Sequence, residues 1–350
     1  MKIQFRYLYL LMFSFVFFSC GNSGKYQNSS IFQLEDFKGE ISLHGRSLEF
    51  DEIIMNQGSL QVYDSVLVTL EYGGDTHCHL FNLNTRKKIG ERLKRGQGPN
   101  EMLMAQFVEG NKSYIQFLDV VSSVIYCYDI HDFINNENPR PVHKVKLPES
   151  IHFEMQELGG KYVAHPYFKP NQLFIFNEQG EKIKEFAGFP DANQGYSDIE
   201  NADAFYMGFV SDMKDRIAIC YYMTDLIDIY TMDGKLQHRI HGPEQFLSHV
   251  RQINKESGPT TMQVKEKSRD AYFAPQNAGD RFLVLYNGGY VTEEDHSSSC
   301  KKLMSFSWNA EPLNLYLLDD PIFSFCVDES KRKIYGVSVT PEYHIVEYSY

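Results

Sequence analysis

The sequence predicts an all-β chain folded as a six-bladed β-propeller of four-stranded blades. Three observations lead there: short strand-like runs rich in Tyr, Phe, Ile and Val, a strand-and-turn unit that recurs six times, and a last unit that stops one strand short. Runs of this kind bounded by Gly, Asn and Asp read as strands closed by tight turns, and long amphipathic helices are hard to find.

The recurring unit is an apolar-x-apolar strand, a turn and a second short strand. Its copies begin Leu80-Phe81-Asn82-Leu83, Ile125-Tyr126-Cys127-Tyr128, Leu173-Phe174-Ile175-Phe176, Ile227-Asp228-Ile229-Tyr230, Leu303-Met304-Ser305-Phe306 and Ile345-Val346-Glu347-Tyr348. They stand about 45 to 55 residues apart, with roughly 25 more before the fifth, and a fixed period in that range marks propeller blades. Ahead of the copies stand pairs of strands joined by tight polar turns, such as Gly159-Gly160-Lys161 and Gly279-Asp280, where Gly, Asn and Asp tolerate the positive φ of a hairpin. A further strand over 182–186, 235–240 and 313–318 makes four per unit.

The sixth unit reaches Tyr350 before a fourth strand can form, and a bare edge strand invites aggregation. Residues 41–53 are strand-like and precede the first full blade. They are expected to pair with 345–350, so that N- and C-terminal strands close the ring and the propeller spans 41–350.

At the other end, Lys2 and Arg6 precede an apolar and aromatic run from Tyr7 to Phe18, followed by Ser19 and Cys20. A run of about twelve residues is too short for a bilayer, which needs roughly 20, so residues 1–19 read as a signal peptide. The ending Phe17-Phe18-Ser19-Cys20 resembles a bacterial lipobox, with Phe17 where Leu is usual, and makes Cys20 the expected acylated first residue. Buried acyl CH2 groups contribute about 0.8 kcal/mol each, so several chains hold a protein at a membrane surface. Residues 20–40 are expected to form a lipid-anchored tether, and the flexible Gly21-Asn22-Ser23-Gly24 at its start suits that role.

The formal net charge is -12, and loss of Lys2 and Arg6 with the signal peptide makes it -14. Such a surface repels polyanions, so no nucleic-acid partner is expected. Five cysteines follow Cys20, an odd number without a C-x-x-C pair, so they cannot all be bridged. Cys78, Cys127, Cys220 and Cys326 fall inside apolar runs and read as small buried thiols.

Together with the lipobox-like start and the six-fold pattern, the segment Arg95-Gly96-Gln97-Gly98-Pro99-Asn100-Glu101 resembles the G-x-G-P-x-E segment of the six-bladed, TolB-like propeller lipoproteins of Bacteroidetes. The resemblance implies an exported propeller and carries over no catalytic residue. In that group, surface display goes with acidic residues just after the lipidated cysteine. Residues 21–25 hold none, so the periplasmic side of the outer membrane is favoured.

In a propeller, first-to-second and third-to-fourth strand turns share one face, and here these are expected to be short. The long segments 187–206, 241–272 and 287–301 fall on the other face, and loops longer than about 12 to 15 residues are usually functional or disordered. Candidate binding residues on or near that face are His165, Tyr196, Tyr206, His241, Tyr290 and His344, with the tyrosines offering rigid, amphipathic contact area. Arg95 and Glu101 either belong to a structural turn, echoed by Gly242-Pro243-Glu244, or point into the mouth of the central channel. His77-Cys78-His79 puts two imidazoles on one strand face without a third ligand in sight, so no metal is expected. No nucleophile, phosphate-loop or dinucleotide motif is present, and no cofactor is expected. The expected function is a monomeric, membrane-anchored binding or scaffold module for a protein, peptide or glycan. The alternative is an envelope hydrolase or lyase with acids or a metal in the channel.

Overall fold

The computed structural model describes residues 25–52, 57–110, 113–148, 154–166, 169–291 and 300–350. They form six four-stranded antiparallel units arranged in a ring. Blade 1 comprises Gln57–Tyr63, Val66–Glu71, Thr76–Asn82 and Lys87–Lys94; blade 2, Ala105–Val108, Tyr114–Asp119, Val124–Asp129 and His143–Lys146. Blade 3 comprises Met155–Leu158, Lys161–Ala164, Asn171–Phe176 and Lys182–Gly188; blade 4, Met207–Ser211, Arg216–Tyr221, Leu226–Thr231 and Leu236–His241. Blade 5 comprises Tyr272–Ala278, Arg281–Tyr286, Cys300–Ser307 and Pro312–Ile322. Blade 6 has Ser324–Asp328, Lys333–Ser338 and His344–Ser349 from the C-terminus, completed by Arg46–Leu48.

All six copies of the recurring unit are third strands of their blades. The middle strands are buried on both faces because each blade is stacked between two others, which is why they read as continuous apolar runs such as Val66–Glu71. Outer strands such as Lys87–Lys94 keep one face in solvent and alternate. Six apolar clusters lie in the six seams between consecutive blades, from Phe107 and Phe117 between blades 1 and 2 to Leu48, Phe81 and Tyr335 between blades 6 and 1. The five cysteines after Cys20 are all buried.

The ring closes through Leu48, Ser47 and Arg46, which pair with Ile345, Val346 and Glu347. The expected partner of 345–350 was the whole of 41–53, and that is corrected: residues 39–43 pair in parallel with Asn314–Leu318 of blade 5 instead. Upstream, Ser30 and Ile31 pair in parallel with Ile240 and His241 of blade 4. The N-terminal segment is therefore a strap laid across the outer edges of blades 4, 5 and 6. The expectation of a tether as far as residue 40 is corrected for 25–40, because Tyr26, Phe32 and Phe37 are buried in the blade clusters. Residues 1–24, with the expected signal peptide and Cys20, lie outside the described residues; among those described, no helix is long and apolar enough to cross a membrane.

Two of the three expected long segments are described in full on one face, 292–299 of the third lie outside the described residues, and the opposite face has one exception to its short turns. Segment 187–206 carries the helix Asp198–Ala204, and 241–272 carries the hairpin Val250–Lys255 with Gly258–Gln263; Gln252 N donates to Glu200 Oε1 at 2.9 Å, tying one to the other. On the opposite face the third-to-fourth connection of blade 2 is long, holding the helix Ile130–Asn135. Asp129 caps that helix, and Phe133 anchors it in the seam with blade 1.

Candidate functional site

The first strand of every blade faces the ring axis and runs from the long-loop face towards the short-turn face. Between these strands lies a cavity of about 370 Å³. Its rim comes from residues just before a first strand, Met104, Glu154, Tyr206 and Phe323, and just after a second strand, Tyr72, Val120 and Tyr222. All of these ends lie on the long-loop face, so the mouth opens there. Phe107, Phe209 and Phe325 form the wall, with Glu109, Gln156 and Gln276 deeper along the strands.

Glu109 follows the first strand of blade 2 and accepts from Gln276 Nε2 at 3.0 Å and Gln156 Nε2 at 3.3 Å. Gln156 is itself oriented by Ser211 N, which donates to its Oε1 at 2.9 Å. Burial raises the Glu109 carboxyl above its ordinary range, against the opposing effect of the Gln276 amide. Glu154 is pushed up to about 8, chiefly by burial and then by the charge of Glu109, while a hydrogen bond from Tyr222 opposes the rise. Burial and Glu154 also drive the Tyr222 phenol well above its usual range.

The rings at the rim are packed against each other. Tyr206 meets Tyr222 edge-on at 5.0 Å between centroids, and Tyr222 meets Phe273 at 5.1 Å. Tyr72 is 69% exposed at the mouth. Among the described residues the cavity lining includes two carboxyl groups and no Lys, Arg or His.

A family profile described as TolB-like, six-blade propeller-like, matches residues 36–330. The chain belongs to the TolB-like six-bladed propeller family. No curated protein matches this TolB-like propeller. Among solved structures it is similar to a member of the DUF4221 family from Bacteroides vulgatus, with TM-score 0.59 and 10% identity over 87% of this chain and 95% of that one. It is also similar to a putative exported protein from Bacteroides fragilis, with TM-score 0.52 and 12% identity over 88% and 98%. Chaetomium thermophilum Raptor aligns with TM-score 0.51 and 10% identity over 87% of this chain, which spans only 28% of Raptor. At these identities the likeness is one of fold.

Of the residues singled out from the sequence, one lines the cavity of this TolB-like propeller: Tyr206. His165 stands behind it, its ring 5.9 Å from that of Tyr206 and its Nδ1 2.9 Å from Gln172 O. Arg95 does not point into the channel mouth; it donates to Gly74 O and Leu103 O, both at 3.1 Å, and so clamps the blade 1 loop. Glu101 folds back onto its own turn, accepting from Gly98 N at 2.8 Å, and a Cβ at Gly96 would sit 2.1 Å from Glu101 Oε2. The G-x-G-P-x-E segment is thus a structural turn here.

Tyr196 donates to Ser248 O at 2.8 Å and holds two long segments together. His241 is fully buried, 3.2 Å from Asp225 and edge-on to Tyr26. Tyr290 is 60% exposed with Arg269 over its ring, and His344 bridges Asp320 at 2.6 Å and Glu342 O at 2.9 Å outside the cavity. His77 is hydrogen-bonded to Met102 O and His79 is paired with Glu71; among the described residues no group of three or more His, Cys, Asp or Glu is placed to hold a metal.

The sequence reading missed Glu109, Glu154, Tyr72 and Tyr222. Their signal is positional, since each flanks a first or second strand and the innermost layer of a propeller is built from those strands. A search of strand ends, rather than of the longest loops, finds them.

Proposed function

We propose that this TolB-like propeller is a binding module of the cell envelope that takes its ligand into the central cavity from the long-loop face. The axial cavity itself supports this: it combines an aromatic rim, fixed amides and two carboxyls, as ligand sites do. The same reading has the mature chain start at an acylated Cys20 and sit in the outer membrane, on its periplasmic side. It acts as a monomer whose partner is a small molecule or one group of a protein, peptide or glycan.

The attachment of the strap supports a specific orientation. Tyr26 donates to Thr224 Oγ1 at 3.0 Å and Gln27 N to Asp191 O at 3.1 Å, both partners on the long-loop face near blades 3 and 4. Five residues from Cys20 to Lys25 span at most about 18 Å, so the anchor keeps this sector of the face close to lipid.

Plugging the cavity tests the reading. Ser324→Trp, on the first strand of blade 6, fills the axis; small molecules and peptides that co-purify with the unaltered protein, identified by mass spectrometry, should be missing from this variant. Full retention by a folded Ser324→Trp protein would move the site elsewhere.

A second reading rests on Glu154. A carboxyl pushed up to about 8 holds its proton at neutral pH and suits a general acid, with Glu109 as its partner in a hydrolase. Hydrolysis of a glycoside or peptide probe that disappears in both Glu154→Gln and Glu109→Gln would favour it.

A further inference from the structure

We infer that the ligand of the axial cavity is an organic cation, an alkylammonium group on a small molecule or side chain, received by the Tyr72, Tyr206 and Tyr222 rim and neutralised by Glu154 and Glu109. This inference rests on the cavity being the binding site. Among the described residues the lining offers carboxyl groups and no counter-cation, so an anionic ligand would be repelled, a neutral one would leave the acids holding protons, and a cation gives their carboxylate forms a partner. The tyrosine rings gathered at the mouth offer the negative faces of their quadrupoles, which attract ammonium groups, and a cation gains more from such faces when water is excluded.

The acids differ in readiness. Glu109 is fixed by two amide donors, whereas Glu154 has the Tyr222 hydroxyl. Among the described residues the groups that face Glu154 electrostatically are Glu109, Tyr222, Tyr72 and Cys220, none of them cationic, while His165, just after the neighbouring strand, meets it through a backbone N that donates to Glu154 O at 3.1 Å. An arriving ammonium group therefore supplies the missing positive charge. It favours the carboxylate form of Glu154, whose proton leaves to the buffer. Binding of a permanently charged ligand should release protons near neutral pH and tighten as pH rises towards 9.

The test is calorimetry on the full mature chain with choline and benzyltrimethylammonium, against 3,3-dimethylbutan-1-ol, the uncharged isostere of choline. Two buffers of different ionisation enthalpy report the released proton. At least one cation should bind, with the neutral isostere weaker by about tenfold or more, and its affinity should rise between pH 6 and 9. Glu154→Gln should weaken the cation about tenfold and flatten the pH dependence without lowering the melting temperature. Asp233→Asn, exposed on the short-turn face, should change nothing. Equal binding of the isostere, no binding of either cation, or an unaffected Glu154→Gln variant overturns the cationic assignment. In that event a neutral glycan or peptide whose binding Ser324→Trp abolishes leaves the cavity reading standing. Binding that Ser324→Trp does not touch overturns both.

Discussion

Arg46 and Glu347 are 301 residues apart in the chain, and their side chains meet at 2.6 Å across the seam that closes the ring. Glu347 also accepts from Lys333 at 2.8 Å. Burial pushes its carboxyl up, but the two cations more than offset this and hold it below the ordinary range. Beside this ionic clasp lies an apolar one: Leu48, 4% exposed, packs with Tyr335, Val337 and Ile345 of blade 6 and with Leu60, Leu67 and Phe81 of blade 1.

Magnitudes decide which clasp matters. The Arg46 side chain is 64% exposed, and pairs of that kind contribute about 0 to 1 kcal/mol. Truncating a buried Leu costs about 2 to 5 kcal/mol. Leu48→Ala should therefore lower the urea midpoint far more than Arg46→Ala. An equal or larger effect of Arg46→Ala would show that closure is mainly ionic.

Acid should loosen the same seam. The Glu347 carboxyl is held below its unfolded value, so its contribution is present above the unfolded pKa and is lost as pH falls through the lower folded one. Glu347→Gln should lose stability at neutral pH and show a shallower decline of melting temperature below about pH 4.5 than the unaltered chain. A decline of identical steepness would remove Glu347 from the acid response.

The strap that leads into this seam from blades 4 and 5 should be a structural part of the propeller. Phe32 and Phe37 meet each other and Phe306 edge-on at 5.4 to 6.1 Å, inside the cluster between blades 4 and 5. Phe32→Ala should cost about 3 to 5 kcal/mol, read from denaturant unfolding. A cost below about 1 kcal/mol would mean the strap is only loosely laid on.

These contacts mark where the sequence was legible. The six third strands could be read because their burial on both faces writes apolar runs at a blade period. Arg46–Leu48 was placed correctly at blade 6, but 41–43 was not, since alternation alone does not say whether Ile41 faces Tyr316 in parallel or a C-terminal residue in antiparallel. The site was less legible. Arg95 and Glu101 look like functional charges until their backbone partners are seen, and Glu154 looks like an ordinary acid until its burial, and then Glu109 from the neighbouring blade, are seen.

The two cavity acids should give the protein an unusual pH response. Glu154 is raised from 4.5 to about 8, so its contribution to stability is complete below its unfolded value and is lost as pH climbs through about 8. Glu109, raised as well, acts in the same direction. Between pH 5 and 8.5 the melting temperature of the unaltered chain should fall, and that of Glu154→Gln should fall less and end higher at the alkaline limit. Parallel curves for the two proteins would show that Glu154 is an ordinary solvated carboxylate.

The short stretch between Cys20, the proposed acylation site, and the strap leads to the last prediction, that the long-loop face lies towards the lipid. Tyr26 and Gln27 are fixed to that face, and at most about 18 Å of chain separates Lys25 from Cys20. The hairpin Val250–Lys255 with Gly258–Gln263 is carried on the same face, with exposed Glu256 between its strands, while Asp233 is exposed on the opposite face. The five cysteines after Cys20 are buried, so a thiol-reactive fluorophore will select an introduced site on the folded, acylated protein. In vesicles containing brominated lipid, a label on Glu256→Cys should be quenched strongly and one on Asp233→Cys weakly. Cys20→Ser should abolish quenching at both sites and leave the protein in the soluble fraction, because the fold itself supplies no acyl chain. A flexible insert of about twenty Gly and Ser residues before Lys25 should weaken the contrast while keeping the protein on the membrane, since a coil of that length spans roughly 22 to 27 Å on average and no longer dictates which face is near. Stronger quenching at Asp233 than at Glu256 would turn the disc over and put the mouth of the cavity away from the membrane.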